Sequence, residues 1–337
     1  MLIKRIEQMI KRNRILYGIG MLIKYRNDDA YYNRILNRIP GYFQLLSNTI
    51  KPTKTVYLID IADDTVAGFF AIMRTILSSM YLADSLEMKI YVRVTGSLYN
   101  MAPEDNMYEY FFLQTMEENY ESITQKYNCF KFERKHSQVV DNALLGNYSI
   151  VNGYDITQDY ISAMAKMYAK YIKFNEKTEL ELNENIDRLI NGKKVLGIHI
   201  RGTDFAKAFK GHPIQLRAED YFELIDSILV EYGFEKIFVA TDENGLLDKF
   251  KNKYLDMVIA YEDVYRSENN RSIHSQINSK GLNGYQIAKE VLRDMYTLAS
   301  CNGLLAGKSQ VSLMAIICKE SKDKRYEYIK VIDKGTN

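Results

Sequence analysis

Polar side chains follow three predicted buried strands in the carboxy-terminal half of this chain. The first polar group consists of His199, Arg201, Thr203 and Asp204, the second of residues 241–243, and the third of residues 307–310. In open α/β sheets, ligands bind outside the carboxyl ends of parallel strands. Because Arg201 is a permanently charged fork that fits phosphate, the pattern indicates a phosphate-bearing ligand. A simple ion pair between Arg201 and Asp204 is the alternative.

Two further positions extend this hypothesis. The turn Gly307-Lys308-Ser309-Gln310 precedes a predicted helix, and the amino end of a helix offers N–H groups to an anion. It lacks the glycine spacing of a Walker loop, and Ser309 could simply cap the helix. Asp294 lies in another predicted helix, where a carboxylate could accept the paired N–H groups of a guanine. A solvated aspartate beside Arg293 is the alternative for this residue.

The elements that must position these groups alternate between strand and helix. In the first half, residues 55–61 and 89–94 read as buried strands, separated by a glycine-containing turn at 63–68 and a helix over 69–86. Helices are also predicted over 108–127 and 157–189, the latter stopped by Asn191-Gly192. In the second half, strands are predicted at 195–200, 236–240, 257–260, 303–306 and 326–332, and helices at 218–231, 246–254, 284–300 and 309–319.

This alternation predicts an α/β fold with two doubly wound, Rossmann-like domains that face a cleft. We place the boundary at the glycine stop. Residues 1–190 would form an amino-terminal α/β domain with a basic helical start. Residues 191–337 would form the nucleotide-binding domain.

Composition restricts the class of protein. With 45 basic and 43 acidic residues, the net charge gives no indication of a nucleic-acid partner. Three widely spaced cysteines and four histidines argue against a disulfide or metal framework and favour the cytoplasm. The basic, aliphatic residues 1–38 could contact an anionic membrane surface peripherally, or form a helix packed on the protein.

Several short motifs occur in an order that resembles one glycosyltransferase family. They are Gly197-Ile-His-Ile-Arg-Gly-Thr-Asp204, His212-Pro-Ile214, Tyr221, Ile237-Phe-Val-Ala-Thr-Asp-Glu243, Leu246-Leu247, Lys253-Tyr254, Asp294 and Ser309-Gln-Val311. Over residues 195–317 the chain resembles the α1,6-fucosyltransferase superfamily, which includes the core-fucosylating and the nodulation enzymes.

The resemblance implies a GT-B architecture with residues 1–190 on the acceptor side and GDP-fucose as donor. It also implies a glycan acceptor, such as a bacterial-type surface polysaccharide, and inversion without a metal or other cofactor. His199 and Asp294 would address the guanine, and Arg201 would hold the β-phosphate. Ser309 and Gln310 would support the diphosphate, Asp242 would support the site, and the backbone near Gly68 would approach the donor.

The chain also departs from the family pattern. Gly202 replaces a second arginine, Phe205 replaces a lysine, and no carboxylate lies between Phe205 and His212, where the family carries its proposed base. Asp204 is one candidate for the base, or it could orient Arg201.

Three alternatives stay open at this point. They are a non-catalytic nucleotide- or sugar-binding protein on a degenerate scaffold, a transferase that uses another GDP-sugar, and a nucleotide-dependent dehydrogenase. The absence of Gly-x-Gly-x-x-Gly after residue 61 counts against the dehydrogenase. An Asp63-Asp64 metal site is a further alternative within a transferase.

Overall fold

The computed structural model describes residues 55–62, 67–131, 137, 140–141, 157–202, 212–267, 273, 276–277 and 282–337. The chain divides into two compact units, Met1–Lys51 and Pro52–Asn337, and every described residue belongs to the second. The basic start at 1–38, the Asp63-Asp64 pair and Asp204 lie outside the described residues. The domain boundary at 190–191 remains a prediction.

The first of two parallel sheets has the strand order β2-β1-β3. Its strands are β1 (Thr55–Ala62), β2 (Lys89–Thr95) and β3 (Asn128–Lys131), and helix α1 (Phe69–Ser85) connects β1 to β2. Val56 pairs with Lys89 and Ala62 with Thr95 in a parallel register. The predicted strand–turn–helix–strand unit is therefore confirmed.

The single helix predicted over 108–127 is wrong. A short 3-10 turn (Met107–Tyr110) and helix α2 (Tyr120–Lys126) enclose a non-helical segment. Side chains from this region complete the free edge of β2. Asn106 Oδ1 accepts from Val94 N at 2.9 Å, and Gln114 Oε1 accepts from Val92 N at 3.1 Å. The hydrogen bonds to these backbone N–H groups stabilise the non-helical conformation more than the local sequence pattern stabilises a helix.

The helix predicted over 157–189 is two helices, α3 (Gln158–Tyr171) and α4 (Glu176–Ile190). Asn175 ends the break by capping α4, with its side chain accepting from Thr178 N at 2.9 Å. The backbone of the break instead bonds to residues 111–113, including Leu113 N to Lys173 O at 2.8 Å. The predicted stop is confirmed, because α4 ends at a left-handed Asn191 with φ of 47°.

The second sheet has five parallel strands in the order β6-β5-β4-β7-β8. The strands are β4 (Val195–Ile200), β5 (Lys236–Thr241), β6 (Val258–Ile259), β7 (Gly303–Gly307) and β8 (Tyr328–Ile332). The helices are α5 (Glu219–Tyr232), α6 (Asn244–Tyr254), α7 (Gly284–Ser300) and α8 (Gln310–Glu320). The sequence predicted all of these elements to within three residues at each end, and β8 is an edge strand as predicted.

Alternation along β4 explains the doubly wound arrangement. Leu196, Ile198 and Ile200 are fully buried and pack in one cluster with α5 and α6. The intervening residues face the other side, where a Cβ on Gly197 would lie 3.2 Å from Cys301 Sγ after α7. Because side chains alternate across a strand, His199 also points to this second side. The predicted fold class, α/β with two Rossmann-like sheets facing a cleft, is confirmed.

Candidate active site

One cleft of about 340 Å³ collects the polar groups that end the strands. Its walls come from the carboxyl ends of β4 and β5, the amino ends of α1 and α8, and one side of α7. The lining residues include every described member of the predicted site: Gly68, His199, Arg201, Asp242, Asp294, Ser309 and Gln310. A cavity of this size falls in the range of small-molecule sites.

Arg201 is held at the end of β4 by Asp242 at the end of β5. Arg201 Nη1 lies 3.3 Å from Asp242 Oδ2, and the side chains are 20% and 9% exposed. Asp242 Oδ1 also accepts from Gly202 N at 2.7 Å. The carboxylate therefore orients the guanidinium. This arrangement fits the supporting function that the resemblance implied for Asp242.

Gly202 has a steric reason to lack a side chain. A Cβ at this position would lie 2.4 Å from Glu243 Oε2 and 3.0 Å from Glu243 Cβ. The turn that leads from β5 into α6 therefore occupies the space that a second arginine would need. Gln215 bonds to Gly202 O at 2.8 Å from the other direction.

His199 is a neutral polar group in the wall of the cleft. It is 5% exposed, and its Nδ1 lies 3.2 Å from Ser309 Oγ. Burial, and secondly the charge of Arg201, lower the pKa of His199 to about 4, although Asp242 acts in the opposite direction. In the tautomer that accepts from Ser309 at Nδ1, His199 carries its proton on Nε2 and can donate it to a ligand.

The amino end of α8 is organised by a capping box. Ser309 Oγ accepts a hydrogen bond from Ser312 N at 3.0 Å, and Ser312 Oγ accepts one from Ser309 N at 3.1 Å. The sequence alternative that Ser309 only caps the helix is thus half right, because Ser309 caps and also contacts His199. Gln310 follows with a buried Oε1 that has no hydrogen-bond partner among the described residues.

Asp294 is buried in the wall that α7 contributes. It is 8% exposed, and its Oδ1 has no hydrogen-bond partner in the described part of the chain. Burial raises the pKa of Asp294 to about 7, against the lowering effect of Arg266 and Arg293. The alternative of a solvated surface aspartate is therefore wrong. A buried, unsatisfied carboxyl oxygen at a cleft favours a ligand that donates hydrogen bonds.

Several residues of the cleft were not identified from the sequence as site residues. Glu290 lies one helical turn before Asp294 and accepts from Tyr265 N at 2.9 Å. This four-residue spacing was the available signal, since it places two carboxylates on one helix face. Tyr99 and His212 also line the cleft, and Tyr99 Oη accepts from Phe69 N at 3.0 Å. The order of the sequence gave no indication that Tyr99 would lie there.

A metal-binding group and a membrane-spanning helix are both absent from the residues that the structure describes. Within those residues, no group of three or more His, Cys, Asp or Glu side chains is arranged to hold a metal ion. Over the same ranges, no helix is both long and apolar enough to cross a bilayer. Asp63 and Asp64 lie outside these ranges.

This chain is similar to known proteins both in sequence family and in structure. A family model described as alpha-(1,6)-fucosyltransferase N- and catalytic domains matches residues 158–329, slightly more than half of the chain. No curated protein sequence matched. Among solved structures, a NodZ alpha-1,6-fucosyltransferase soaked with GDP-fucose has 14% identity and a TM-score of 0.46, covering 78% of this chain and 91% of its own.

Two further structures are similar at the same low level of identity. Fucosyltransferase NodZ from Bradyrhizobium has 14% identity and a TM-score of 0.46, covering 77% of this chain and 91% of its own. POFUT1 in complex with GDP has 10% identity and a TM-score of 0.43, covering 83% and 98%. The family match includes both the Arg201–Asp242 pair and the α7–α8 wall of the cleft. The chain therefore belongs to the alpha-(1,6)-fucosyltransferase family and is a fucosyltransferase.

Proposed function

We propose that this fucosyltransferase moves L-fucose from GDP-fucose to a hydroxyl group of a glycan, with inversion at the anomeric carbon. One observation carries this proposal. Arg201, the amino end of α8 and the buried carboxyl of Asp294 line the same cleft. Such a cleft can bind a diphosphate through its positive charge and a nucleobase through its hydrogen-bond acceptor. The cytoplasm is the proposed compartment, because all three cysteines are free.

The leaving group explains the chemistry at Arg201. As the bond between the anomeric carbon and the phosphate oxygen breaks, negative charge increases on the GDP diphosphate. A guanidinium already oriented by Asp242 stabilises that charge without reorganisation. The amino end of α8, with Ser309 and Gln310, adds N–H groups and the positive end of a helix dipole.

Asp294 on α7 and His199 on β4 support recognition of the guanine. A guanine presents two adjacent N–H donors, and Asp294 offers a buried carboxyl oxygen that lacks a partner among the described residues. Neutral His199 would donate from Nε2 to an acceptor atom of the base. Arrangements of this type discriminate strongly, because a base without matching groups leaves buried polar atoms unpaired.

Gly68 completes the proposed donor site from the first sheet. It precedes α1 in an extended conformation and lines the same cleft as the strand ends of the second sheet. A residue without a side chain lets the backbone approach a ligand closely. The proposed site thus needs both sheets.

The test is a thermal-shift screen against GDP, GDP-fucose, GDP-mannose and UDP-sugars, followed by measurement of transfer. Ligands that bind the native state raise the apparent stability by mass action. We expect GDP and GDP-fucose to raise Tm and UDP-sugars to leave it unchanged. A larger shift and faster turnover with GDP-mannose would favour another GDP-sugar, and no shift with GDP would contradict the proposal.

One observation favours a second candidate, a non-catalytic nucleotide- or sugar-binding protein. The sequence has no carboxylate between Phe205 and His212, where the family carries its proposed base. Release of GDP from GDP-fucose, first in water and then with a panel of glycan acceptors, separates the two candidates. Binding without release under every condition would favour the non-catalytic protein.

A further inference from the structure

An inverting transfer needs a group that takes the proton of the acceptor hydroxyl. The acceptor oxygen forms a bond to the anomeric carbon, and the carbon–oxygen bond to the phosphate breaks. The bonding electron pair leaves with GDP, and the acceptor proton must pass to a base. That base must line the donor cleft and carry an unshared electron pair. This inference rests on the proposed function.

The carboxylates that line the described part of the cleft have other functions. Asp242 accepts from Gly202 N and pairs with Arg201. Glu290 accepts from Tyr265 N at 2.9 Å and from Gln286 Nε2 at 3.0 Å. Asp294 is the buried carboxyl that we assign to the guanine. Each of these groups is used for orientation or recognition.

The two histidines of the cleft differ in their surroundings. His199 is buried, contacts Ser309 and lies beside Arg201, and these surroundings lower its pKa to about 4. A base that weak takes a proton poorly near neutral pH. His212 lines the same cleft and is only partly buried as a residue, although its Nδ1 is buried.

Backbone bonds from the final residues of the sequence hold His212 in place. Asn337 N donates to His212 O at 3.0 Å, and Ile214 N donates to Gly335 O at 3.0 Å. Pro213 and Thr336 form the antiparallel bridge between these bonds. Asn337 Nδ2 adds a bond to His212 O at 3.3 Å. These bonds fix the backbone of His212 beside the isolated bridge, and a fixed backbone limits where the imidazole can lie.

We propose that His212 is the catalytic base, which takes the proton from the acceptor hydroxyl as the fucosyl bond to GDP breaks. It stands at the end of the segment where the family carries a glutamate and this chain carries none. A neutral imidazole has an unshared electron pair on one ring nitrogen, which can accept the proton of a hydroxyl group. Neither the family match nor the sequence motifs assign this function to His212.

The experiment uses water as the acceptor, so that no glycan needs to be identified first. Release of GDP from GDP-fucose is measured for the full chain and for His212→Gln and Asp204→Asn, and GDP affinity is measured by calorimetry for each. Glutamine retains size and hydrogen bonding but cannot serve as a base at neutral pH. We expect His212→Gln to slow release by roughly 10²–10⁴-fold with GDP affinity within about threefold of the unsubstituted chain.

A rescue experiment separates proton transfer from positioning. In His212→Ala, added imidazole should restore part of the release rate in proportion to its concentration, whereas it should not accelerate the unsubstituted chain. A group that only positions other residues would not be replaced by a diffusing base. Rescue therefore supports the proposal, and its absence in a variant that still binds GDP would overturn it.

The remaining outcomes are also decisive. Loss of release in Asp204→Asn together with normal release in His212→Gln would transfer the function to Asp204. An equal loss of GDP affinity in His212→Gln would make His212 a donor-binding residue. If the unsubstituted chain does not bind GDP, the proposed function itself fails. If it binds GDP but never releases it from GDP-fucose, the catalytic base fails with donor binding intact.

Discussion

Arg201 shows how a single residue depends on its partner across two strands. Its guanidinium lies at the end of β4, and the carboxylate that orients it follows β5. Parallel neighbours bring Arg201 and Asp242, which are 41 positions apart, into contact at one sheet edge. The sequence marked Arg201 as the phosphate candidate, and the structure places it in the wall of the cleft. The structure shows Arg201 paired with Asp242, whereas the alternative partner Asp204 lies outside the described residues.

Replacing Arg201 by alanine should weaken catalysis more than binding. The variant loses a charge that matters most when the leaving diphosphate becomes more negative. We expect kcat/KM with GDP-fucose to fall on the order of a hundredfold, which corresponds to a loss of about 3 kcal/mol of transition-state stabilisation. Arg217→Ala is the matched control, because the Arg217 side chain is 72% exposed and its nearest carboxylate lies 3.9 Å away. Near-normal turnover in Arg201→Ala would contradict its assigned function.

Asp294 should make GDP binding depend on pH. Burial raises the pKa of its carboxyl to about 7, and Glu290 adds to this effect while Arg266 and Arg293 oppose it. Below about pH 7 the empty site holds Asp294 protonated, so accepting two guanine N–H groups requires loss of that proton. GDP affinity should therefore rise as pH increases through 7 and then level off.

Calorimetry of GDP binding at pH 6 in buffers of different ionisation enthalpy measures this proton release. Asp294→Asn should bind GDP more weakly and without the proton release, whereas the exposed Asp248→Asn should behave as the unsubstituted chain. For the protein without GDP, the pH dependence concerns the stability of the fold, and it has the opposite direction to that of GDP affinity. The folded state keeps its proton between the ordinary pKa of 3.8 and about 7, so stability falls as pH rises through that window. Proton uptake on GDP binding would contradict the assignment.

At the scale of elements, helix boundaries and close approaches determine the walls of the cleft. The amino end of α7 packs against the loop after β2, where a Cβ on Gly284 would lie 1.8 Å from Leu98 O. That loop carries Tyr99, which lines the cleft and accepts from the first N–H of α1. The lack of a side chain at Gly284 therefore lets α7 pack against the loop whose Tyr99 contacts the amino end of α1.

Gly284→Ala should therefore destabilise the fold, by roughly 1–3 kcal/mol, because the Leu98 backbone must move. Gly245→Ala is a matched control within α6, since the nearest atom to an added Cβ is Glu243 Oε1 at 3.8 Å. There the substitution should be neutral or stabilise by roughly 0.5–1 kcal/mol. Denaturant unfolding of both variants measures the difference. A Gly284→Ala variant as stable as Gly245→Ala would show that α7 does not approach Leu98 so closely.

The predicted elements differ in how well their local patterns determined them. The strands and helices of the second sheet were predicted closely, because β4 and β5 are continuous apolar runs bounded by turns. The helix predicted over 108–127 was wrong, since Asn106 and Gln114 satisfy the edge of β2 with their side chains. The break between α3 and α4 was missed for a similar reason. Its backbone bonds to residues 111–113, which are distant in the chain.

At the scale of the whole molecule, the cleft combines segments from both described sheets. The amino end of α1 belongs to the first sheet, while the amino end of α8 and the side of α7 belong to the second. A ligand that fills the cleft contacts residues more than 200 positions apart. Binding should therefore affect both regions together.

Hydrogen exchange with and without GDP tests this expectation. Saturating GDP should slow exchange in peptides that cover residues 67–71, 287–294 and 309–312, because openings of the cleft expose all three. Exchange in α4, which does not line the cleft, should change much less. Protection confined to the second sheet would show that the first sheet takes no part in donor binding.

The sequence by itself determined the chemistry of this protein more fully than its geometry. Residue types at the strand ends pointed to Arg201, His199, Asp242, Ser309 and Gln310, because strand and helix patterns are local, and the order of the motifs added Asp294 within a helix. Only the tertiary structure decided which charges pair, that Asp294 is buried, and that Tyr99, Glu290 and His212 share the cleft. The physical reason is that burial, ion pairing and pKa depend on neighbours brought together by long-range packing. A one-dimensional pattern does not contain those neighbours.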